Sequence, residues 1–200
     1  NIDNFPVYLF CGQVMFNFMN TSTHQAIFSI TGNGTLLKKI YVPKYIFTIS
    51  IITSGLVDFL FSLGALFLVM FITKAKFTWY MIWIPIVSIE LYVFCVGLGM
   101  FLAQANVFFR DIQYIYNAVT TAWMYLTPIF YPIESLPENI MNGIKNLNPM
   151  YFYVAQFRSC VYYCEFPEFK YILLGMITSL LALSVGMVSF LKTQNNFILY

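Results

Sequence analysis

Residues 101–158 read FLAQANVFFRDIQYIYNAVTTAWMYLTPIFYPIESLPENIMNGIKNLNPMYFYVAQFR, and this stretch decides the fold. Its first apolar run ends at Arg110-Asp111, a charged pair that cannot lie unpaired in hydrocarbon and therefore marks a membrane surface. The 22 residues between Asp111 and Glu134 carry no charge. At about 1.5 Å per residue they can cross a hydrocarbon core of about 30 Å. The stretch therefore predicts a membrane span that begins after Asp111.

Prolines end this span and a short amphipathic helix follows it. Thr127-Pro128 and Tyr131-Pro132 lack backbone donors, which predicts a break near the far interface. Ser135-Leu136-Pro137-Glu138 has the S-x-x-E form of a capping box, and Asn148-Pro149 should stop the helix. Its apolar positions recur at helical spacing: Leu136, Ile140, Ile144 and Leu147. From these residues alone, a loop resting on lipid and a gating or re-entrant element both stay open.

The segments of this stretch follow one another in a recognisable order. An apolar span, F-F-R-D-I, an aromatic span, T-P-I-F-Y-P, an amphipathic segment, L-N-P and a later arginine occur in turn. This order resembles the membrane subunit of the type-2 ABC exporters that move lipid-linked polysaccharides and teichoic acids. The matching positions are Arg110, Asp111, Pro128, Tyr131, Pro132, Asn148, Pro149 and Arg158. The resemblance implies one all-α transmembrane domain over residues 1–200, with the last five of six spans and without the family's N-terminal amphipathic segment and first span.

Composition independently indicates a polytopic membrane protein. The chain is 60% hydrophobic and 9% charged, whereas soluble domains carry about a quarter of charged residues. The long intervals between charges predict five spans. These intervals are 4–37, 45–73 with only Asp58 inside, 77–109 with only Glu90 inside, 112–133 and 171–191.

Two predicted spans carry polar stripes. In the span at 4–37, Asn17, Asn20, Thr21, His24 and Gln25 share a helix face, and in the span at 112–133, Tyr116, Thr120, Trp123 and Thr127 do. Such groups are unfavourable against acyl chains, so they must face protein or water. Interhelical hydrogen bonding and a substrate path both remain open. We predict a path lined by Asn17, Asn20, His24, Tyr116, Thr120 and Trp123, closed at its outer end by a gate of Pro128, Phe130, Tyr131 and Pro132.

Residues 31–44, TGNGTLLKKIYVPK, predict a short helix between two spans. Gly32 and Gly34 free the backbone, Thr35 can cap a helix, and Pro43 separates it from the next span. The helix would comprise Leu36, Leu37, Lys38, Lys39, Ile40 and Tyr41. The residues alone are typical of an interfacial loop with lysines near lipid head groups. The resemblance instead implies a coupling helix that docks on a cytoplasmic ATPase.

The sequence holds no nucleotide-binding or catalytic signature. It has no G-x-x-x-x-G-K-[ST] loop, no Ser/His/Asp set and no metal-ligand spacing. The resemblance implies that ATP and Mg act in a partner ATPase present in two copies, that this permease pairs with itself, and that its substrate is a lipid-linked glycan. It places the chain among the lipids of the bacterial cytoplasmic membrane, with multiple passes, no cofactor of its own and no nucleic-acid partner. Arg110 at the cytoplasmic interface would meet the diphosphate of the substrate or pair with Asp111.

Charge alone does not orient the chain. Five cations fall on each side, with Lys38, Lys39, Lys44, Arg110 and Lys192 opposite Lys74, Lys76, Lys145, Arg158 and Lys170. The orientation therefore follows from the resemblance.

Three alternatives to glycan export stay open. They are export of a drug or simple lipid, proton-coupled secondary transport through Asp58 and Glu90, and a membrane-embedded transferase. The transferase is disfavoured because its chemistry needs an acidic or histidine cluster at a membrane surface.

Smaller features concern packing and thiols. Gly99-x-x-x-Ala103, Ala118-x-x-x-Ala122 and Ala182-x-x-x-Gly186 predict close helix contacts. Cys160 and Cys164 have poor geometry for a disulfide within one helix, so two free thiols are expected.

Overall fold

The computed structural model describes residues 4–33 and 43–193, and within these residues the regular elements are all helical. The long and short α-helices are α1 (Phe5–Ile27), α2 (Tyr45–Ile72), α3 (Ile84–Phe108), α4 (Ile112–Leu126), α5 (Glu138–Leu147), α6 (Pro149–Arg158) and α7 (Phe169–Thr193). Tighter turns lie at Thr31–Asn33, Trp79–Trp83 and Ile133–Ser135, and a π-helical turn lies at Ser159–Tyr163. The predicted all-α fold is confirmed.

Three of the described helices are long and apolar enough to cross a membrane. They are Tyr45–Ile72, Trp79–Phe108 and Phe169–Thr193. Helix α1 has 23 residues but carries the polar face described above. Helix α4 has only 15 residues, which gives it a length of about 22 Å, short of a hydrocarbon core of about 30 Å. The count of five spans therefore stays a prediction, and any crossing at α4 depends on the non-helical backbone that follows it.

The helices alternate in direction, so the bundle has two ends. At one end, called the Arg110 end, Asn106 Nδ2 donates to the Ile27 carbonyl (3.2 Å) and Thr193 Oγ1 donates to Gln104 Oε1 (2.7 Å). At the other, called the Arg158 end, Cys164 Sγ lies 3.7 Å from the Lys76 carbonyl oxygen. The turn at Thr31–Asn33 therefore leaves from the Arg110 end, and the α2–α3 connection lies at the Arg158 end.

The most extensive helix contact joins α3 to α7. A Cβ on Gly97 would overlap the main chain of Ala182, and a Cβ on Gly186 would overlap the main chain of Gly97. A Cβ on Gly99 would lie 2.7 Å from the Ile52 side chain and 3.0 Å from the Ala26 Cβ. The close contact predicted at Ala182-x-x-x-Gly186 is confirmed, because the backbones of α3 and α7 touch there, and Gly99 packs closely against side chains of α1 and α2.

The outer faces of α2 and α7 are apolar and uncovered. Their exposed side chains include Leu60, Phe61, Leu68, Phe71, Leu180, Leu181, Val185 and Val188. An uncovered apolar surface of this kind is typical of helices that face the lipid of a membrane.

The predicted capping box before α5 is wrong. Ser135 Oγ donates to the Pro132 carbonyl (2.7 Å). The N-cap residue of α5 is Pro137, and no side chain caps the helix there. The hydroxyl is taken up because the chain turns tightly at Ile133–Ser135 before α5 starts. Asn148 does end the helix, as predicted.

Helix α5 buries only one of its apolar residues. Ile144 is covered, whereas Ile140 is 51% exposed and Leu147 is 81% exposed. A short helix with an uncovered apolar side is typical of an element that rests at a membrane interface.

Candidate functional site

The backbone leaves the helix after Leu126, at the Arg158 end of α4, and residues 127–132 form a break. Leaving a helix in apolar surroundings frees carbonyl groups, and each unpaired one is unfavourable by several kcal/mol. Two of them are satisfied locally. Tyr131 Oη donates to the Tyr125 carbonyl (2.6 Å), and Ile129 N donates to the Thr127 carbonyl (2.7 Å). Four more, the carbonyls of Leu126, Pro128, Ile129 and Tyr131, accept from side chains of α1 and of the two ends of α6.

Asn148 joins the break to the start of α6. Its Oδ1 accepts from Met150 N (3.1 Å), which caps α6, and from Trp123 Nε1 (2.7 Å). Its Nδ2 donates to Thr127 Oγ1 (3.1 Å) and to the Leu126 carbonyl (3.4 Å). This amide, which is 9% exposed, thus uses its oxygen twice and its nitrogen twice, the full capacity of the group.

Arg158 joins the break to α1 from the other end of α6. Nη1 donates to the Pro128 carbonyl (2.6 Å) and to Tyr8 Oη (3.0 Å), and Nη2 donates to the Ile129 carbonyl (2.9 Å) and to the Tyr8 carbonyl (3.3 Å). Nε donates to the Tyr8 carbonyl as well (3.4 Å). The side chain is only 4% exposed. All five donors of a permanently charged group are therefore engaged by uncharged oxygens.

Helix α1 is shaped to receive this guanidinium. The Tyr8 ring centroid lies 3.6 Å from the Arg158 Cζ, within cation–π range. Tyr8 Oη also donates to the Tyr131 carbonyl (3.2 Å). A Cβ on Gly12 would lie 2.8 Å from Arg158 Nη2 and 3.1 Å from Ile129 Cγ2, so glycine is needed for the approach. The start of α1, the break and α6 are thereby tied into one unit.

The structure brings three of the predicted path residues together. His24 Nε2 lies 3.3 Å from Thr120 Oγ1, and the His24 and Tyr116 rings are 4.9 Å apart. Thr23 Oγ1, which the sequence did not single out, lies 2.7 Å from Tyr116 Oη. Tyr116 and Thr120 are buried by this contact between α1 and α4.

The other predicted path residues lie apart from that contact. Trp123 Nε1 donates to Asn148 Oδ1 instead, and Asn17 is exposed. Asn20 is half-buried, and its Oδ1 has no partner among the described residues. A path lined by all six residues stays a prediction.

An uncovered polar face lies beside the contact between α1 and α4. Its exposed residues are Asn17, Thr21 and Gln25 of α1 and Asn117, Ala118, Thr121 and Ala122 of α4. His24 contacts Thr120, Thr21 lies one turn before His24 on α1, and Thr121 follows Thr120 on α4. This α1–α4 face contrasts with the apolar outer faces of α2 and α7. The predicted close contact at Ala118-x-x-x-Ala122 has no partner within the described residues.

The predicted gate and the charged pair lie at opposite ends. Pro128 is buried, Tyr131 and Pro132 are half-buried, and Phe130 is 39% exposed at the Arg158 end. Arg110 and Asp111 are both exposed at the turn between α3 and α4, and no ion pair joins them in the described chain. The coupling segment, Leu36, Leu37, Lys38, Lys39, Ile40 and Tyr41, lies outside the described residues.

The two acids inside predicted spans are in different surroundings. Glu90 is buried, and its Oε2 accepts from Gln156 Nε2 (3.0 Å). Asp58 is exposed on α2. No contact joins the two carboxylates in the residues that the structure describes, so they do not form a relay there. The four cysteines are free thiols, as expected for Cys160 and Cys164.

Two residues of this site carry more contacts than the sequence indicated. The sequence predicted Asn148 as a helix stop and as a position that matches the family, and it predicted no role for Tyr8. The signal for Asn148 was present, because asparagine before a proline that opens a helix is a typical N-cap arrangement. Tyr8 gave no such signal, since its partner Arg158 is 150 residues away.

A family model described as ABC-2 type transporter matches residues 1–162. The chain belongs to the ABC-2 type transporter family. For this ABC-2 chain, the family resemblance inferred from the order of segments around Arg110, Pro128 and Asn148 is thus confirmed. The proton-coupled alternative built on Asp58 and Glu90 is not favoured.

Curated relatives of this ABC-2 chain have names that refer to polysaccharide export. The O-antigen export system permease protein RfbA of Myxococcus xanthus is 29% identical over 170 residues, which is 84% of this chain and 65% of the relative. Two proteins of the same name from Klebsiella pneumoniae are 24% and 23% identical over 197 residues, covering 98% of this chain and 75% of each relative. The chain thus spans about two thirds to three quarters of the length of these relatives.

Proposed function

We propose that this chain is the membrane subunit of an ABC exporter that moves a lipid-linked polysaccharide of the O-antigen type across a bacterial cytoplasmic membrane. The observation that carries the proposal is the similarity to three O-antigen export permeases along most of the chain. Their shared name favours a glycan over a drug or a simple lipid as substrate. Capsule and teichoic acid are the other glycans that the sequence resemblance allows.

The uncovered α1–α4 face supports a path shared by two copies. Polar groups such as Asn17, Thr21, Asn117 and Thr121 are unfavourable against lipid, so this face requires water or protein. A second copy that brings the same face opposite would enclose a polar path between the two. Because Tyr116 and Thr120 are covered by α1, a substrate on this face would first meet Asn117 and Thr121.

The Arg110 end is proposed to face the cytoplasm and a partner ATPase. The described residues stop at Asn33 at this end, and the coupling segment from Leu36 to Tyr41 would dock on that partner. ATP hydrolysis and Mg²⁺ would belong to the ATPase. Arg110, which Asp111 does not engage, would be free to meet the diphosphate of the substrate as a charge-assisted donor.

Export is expected to require both this chain and an active ATPase. The measurement is glycan at the surface of cells in which this chain replaces a resident O-antigen permease, with its own ATPase supplied. An ATPase whose nucleotide-binding lysine is changed should abolish surface glycan. Leu37→Asp should also abolish surface glycan while leaving the complex assembled. The new carboxylate would lose its water when the segment docks in the groove of the ATPase. Surface glycan that persists with the inactive ATPase would rule out the proposed energy source.

The polar face is expected to be reached by water, unlike the apolar face of α2. The test uses single cysteines in a background without the four native ones, labelled by a membrane-impermeant thiol reagent. Asn117→Cys and Thr121→Cys should react, whereas Thr120→Cys should be protected by α1. Phe61→Cys is the matched control, because Phe61 is 77% exposed on the apolar outer face of α2. If positions 117 and 121 are as unreactive as position 61, the α1–α4 face does not line a path.

A further inference from the structure

We propose that Arg158 is a positioning residue that holds the Arg158 end of the path closed. The inference rests on the proposed function, since it concerns the closure of the same transport path. Arg158 does not touch the proposed path itself. It acts through the break, whose residues Pro128, Phe130, Tyr131 and Pro132 form the predicted gate.

The geometry of the guanidinium supports this role. Its fork reaches the Pro128 and Ile129 carbonyls of the break and the Tyr8 carbonyl of α1 at the same time. Moving the break away from α1 must separate at least two of these charge-assisted bonds. Lysine could not replace the fork, because a single ammonium has three donors on one atom and cannot span carbonyls on separate segments.

The hydrogen bonds of Arg158 form only when the break lies against α1. The oxygens around Arg158 carry no formal charge, and none of the described carboxylates is paired with it. The carbonyls of Pro128 and Ile129 would lose their partners if the guanidinium left, since the break has no helical donors to offer them. The cation and the break therefore stabilise each other, and only while α1, α6 and the break stay together.

A cavity gives this contact access from the surface. It has a volume of about 290 Å³, and Arg158, Tyr8 and Pro128 form part of its lining. Glu134 and Lys145 also line it. Truncating Arg158 would enlarge this cavity by the volume of a guanidinium group. A small guanidinium compound could then enter and bind the vacated carbonyls.

The test measures leakage of a small fluorescent dye from liposomes that contain the full complex of this chain and its ATPase, without nucleotide. Wild-type complex should retain the dye. Arg158→Ala should raise the leak rate at least about tenfold, and millimolar methylguanidinium should restore most of the retention. Arg158→Lys should leak nearly as much as the alanine variant and should not respond to methylguanidinium, because its ammonium keeps the site occupied.

Two further variants keep the proposal falsifiable. Lys145→Ala removes a cation from the same cavity and should retain the dye. Tyr8→Phe keeps the ring but removes the hydroxyl bonds to Arg158 and Tyr131. It should raise the leak rate a few-fold. If Arg158→Ala fails to assemble, the leak rate of Tyr8→Phe becomes the test of the proposal. Retention by assembled Arg158→Ala, or a leak equal in Lys145→Ala and unaffected by methylguanidinium, would overturn the proposal. Leakage needs neither glycan nor ATP, so failure of the export experiment would not mimic either result.

Discussion

Replacing Gly97 by valine is expected to separate α3 from α7 and to lower the free energy of unfolding by about 3 kcal/mol, the upper range for overpacked cores. The added Cβ would overlap main-chain atoms of Ala182 and Leu183, and a helix backbone cannot move aside as the end of a side chain can. Because α3 and α7 form the most extensive helix contact, the loss should spread through the bundle.

The measurement is thermal unfolding of the purified protein in detergent, followed by the reaction of buried cysteines with a thiol-reactive dye. Cys95 is fully buried on α3 and reports this packing directly. Gly64→Val is the matched control, because a Cβ at Gly64 meets nothing within 4 Å. If the midpoints of the two variants fall equally, the close contact of α3 and α7 does not stabilise the fold.

Much of the fold followed from where charges and prolines fall. The uncharged intervals predicted the long helices, and Thr127-Pro128 predicted the break after α4, because hydrocarbon excludes charge and proline removes a donor. These are local rules, so they hold whatever the helices pack against. The spacing of small residues likewise predicted the close contact at Ala182 and Gly186.

The partners across the bundle could not be predicted in this way. Spacing placed Tyr116 and Thr120 on a polar stripe, but it could not tell that α1 covers both and leaves Asn117 and Thr121 open. Gly97 belongs to no small-x-x-x-small pair, because Val93 and Phe101 lie four residues before and after it. The sequence therefore did not mark it as the partner of Ala182. Periodicity shows which residues share a face, and it does not show what faces them.

Helix α6 holds the break through the residues at its two ends, Asn148 and Arg158. Asn148 precedes its first residue and Arg158 is its last, about 15 Å apart for a helix of this length. Asn148 binds Leu126, the last residue of α4, and Thr127 of the break, and Arg158 binds Pro128 and Ile129 of the break. A rigid helix that holds four consecutive residues by its two ends fixes their backbone more firmly than either side chain could alone.

Asn148→Ala is accordingly expected to lower the free energy of unfolding by about 3 kcal/mol and to abolish export. The amide makes four hydrogen bonds, each with a net contribution of about 1 kcal/mol. One of them is the cap of α6, whose loss alone costs about 1 kcal/mol. The thiol-reaction assay gives the stability, and surface glycan gives the export.

The chemistry of Asn148 can be divided by two further changes. Asn148→Asp keeps the oxygen that Met150 N and Trp123 Nε1 use, but it loses the donor to Leu126 and Thr127 and adds a charge. It should preserve the start of α6 and still fail in export, because the break is released. In a Trp123→Phe background, Asn148→Ala should cost about 1 kcal/mol less than in the wild type, since the shared hydrogen bond is already gone. Equal costs in both backgrounds, with export intact in Asn148→Asp, would show that Asn148 only ends one helix and starts another, and that the break is held by Arg158 alone.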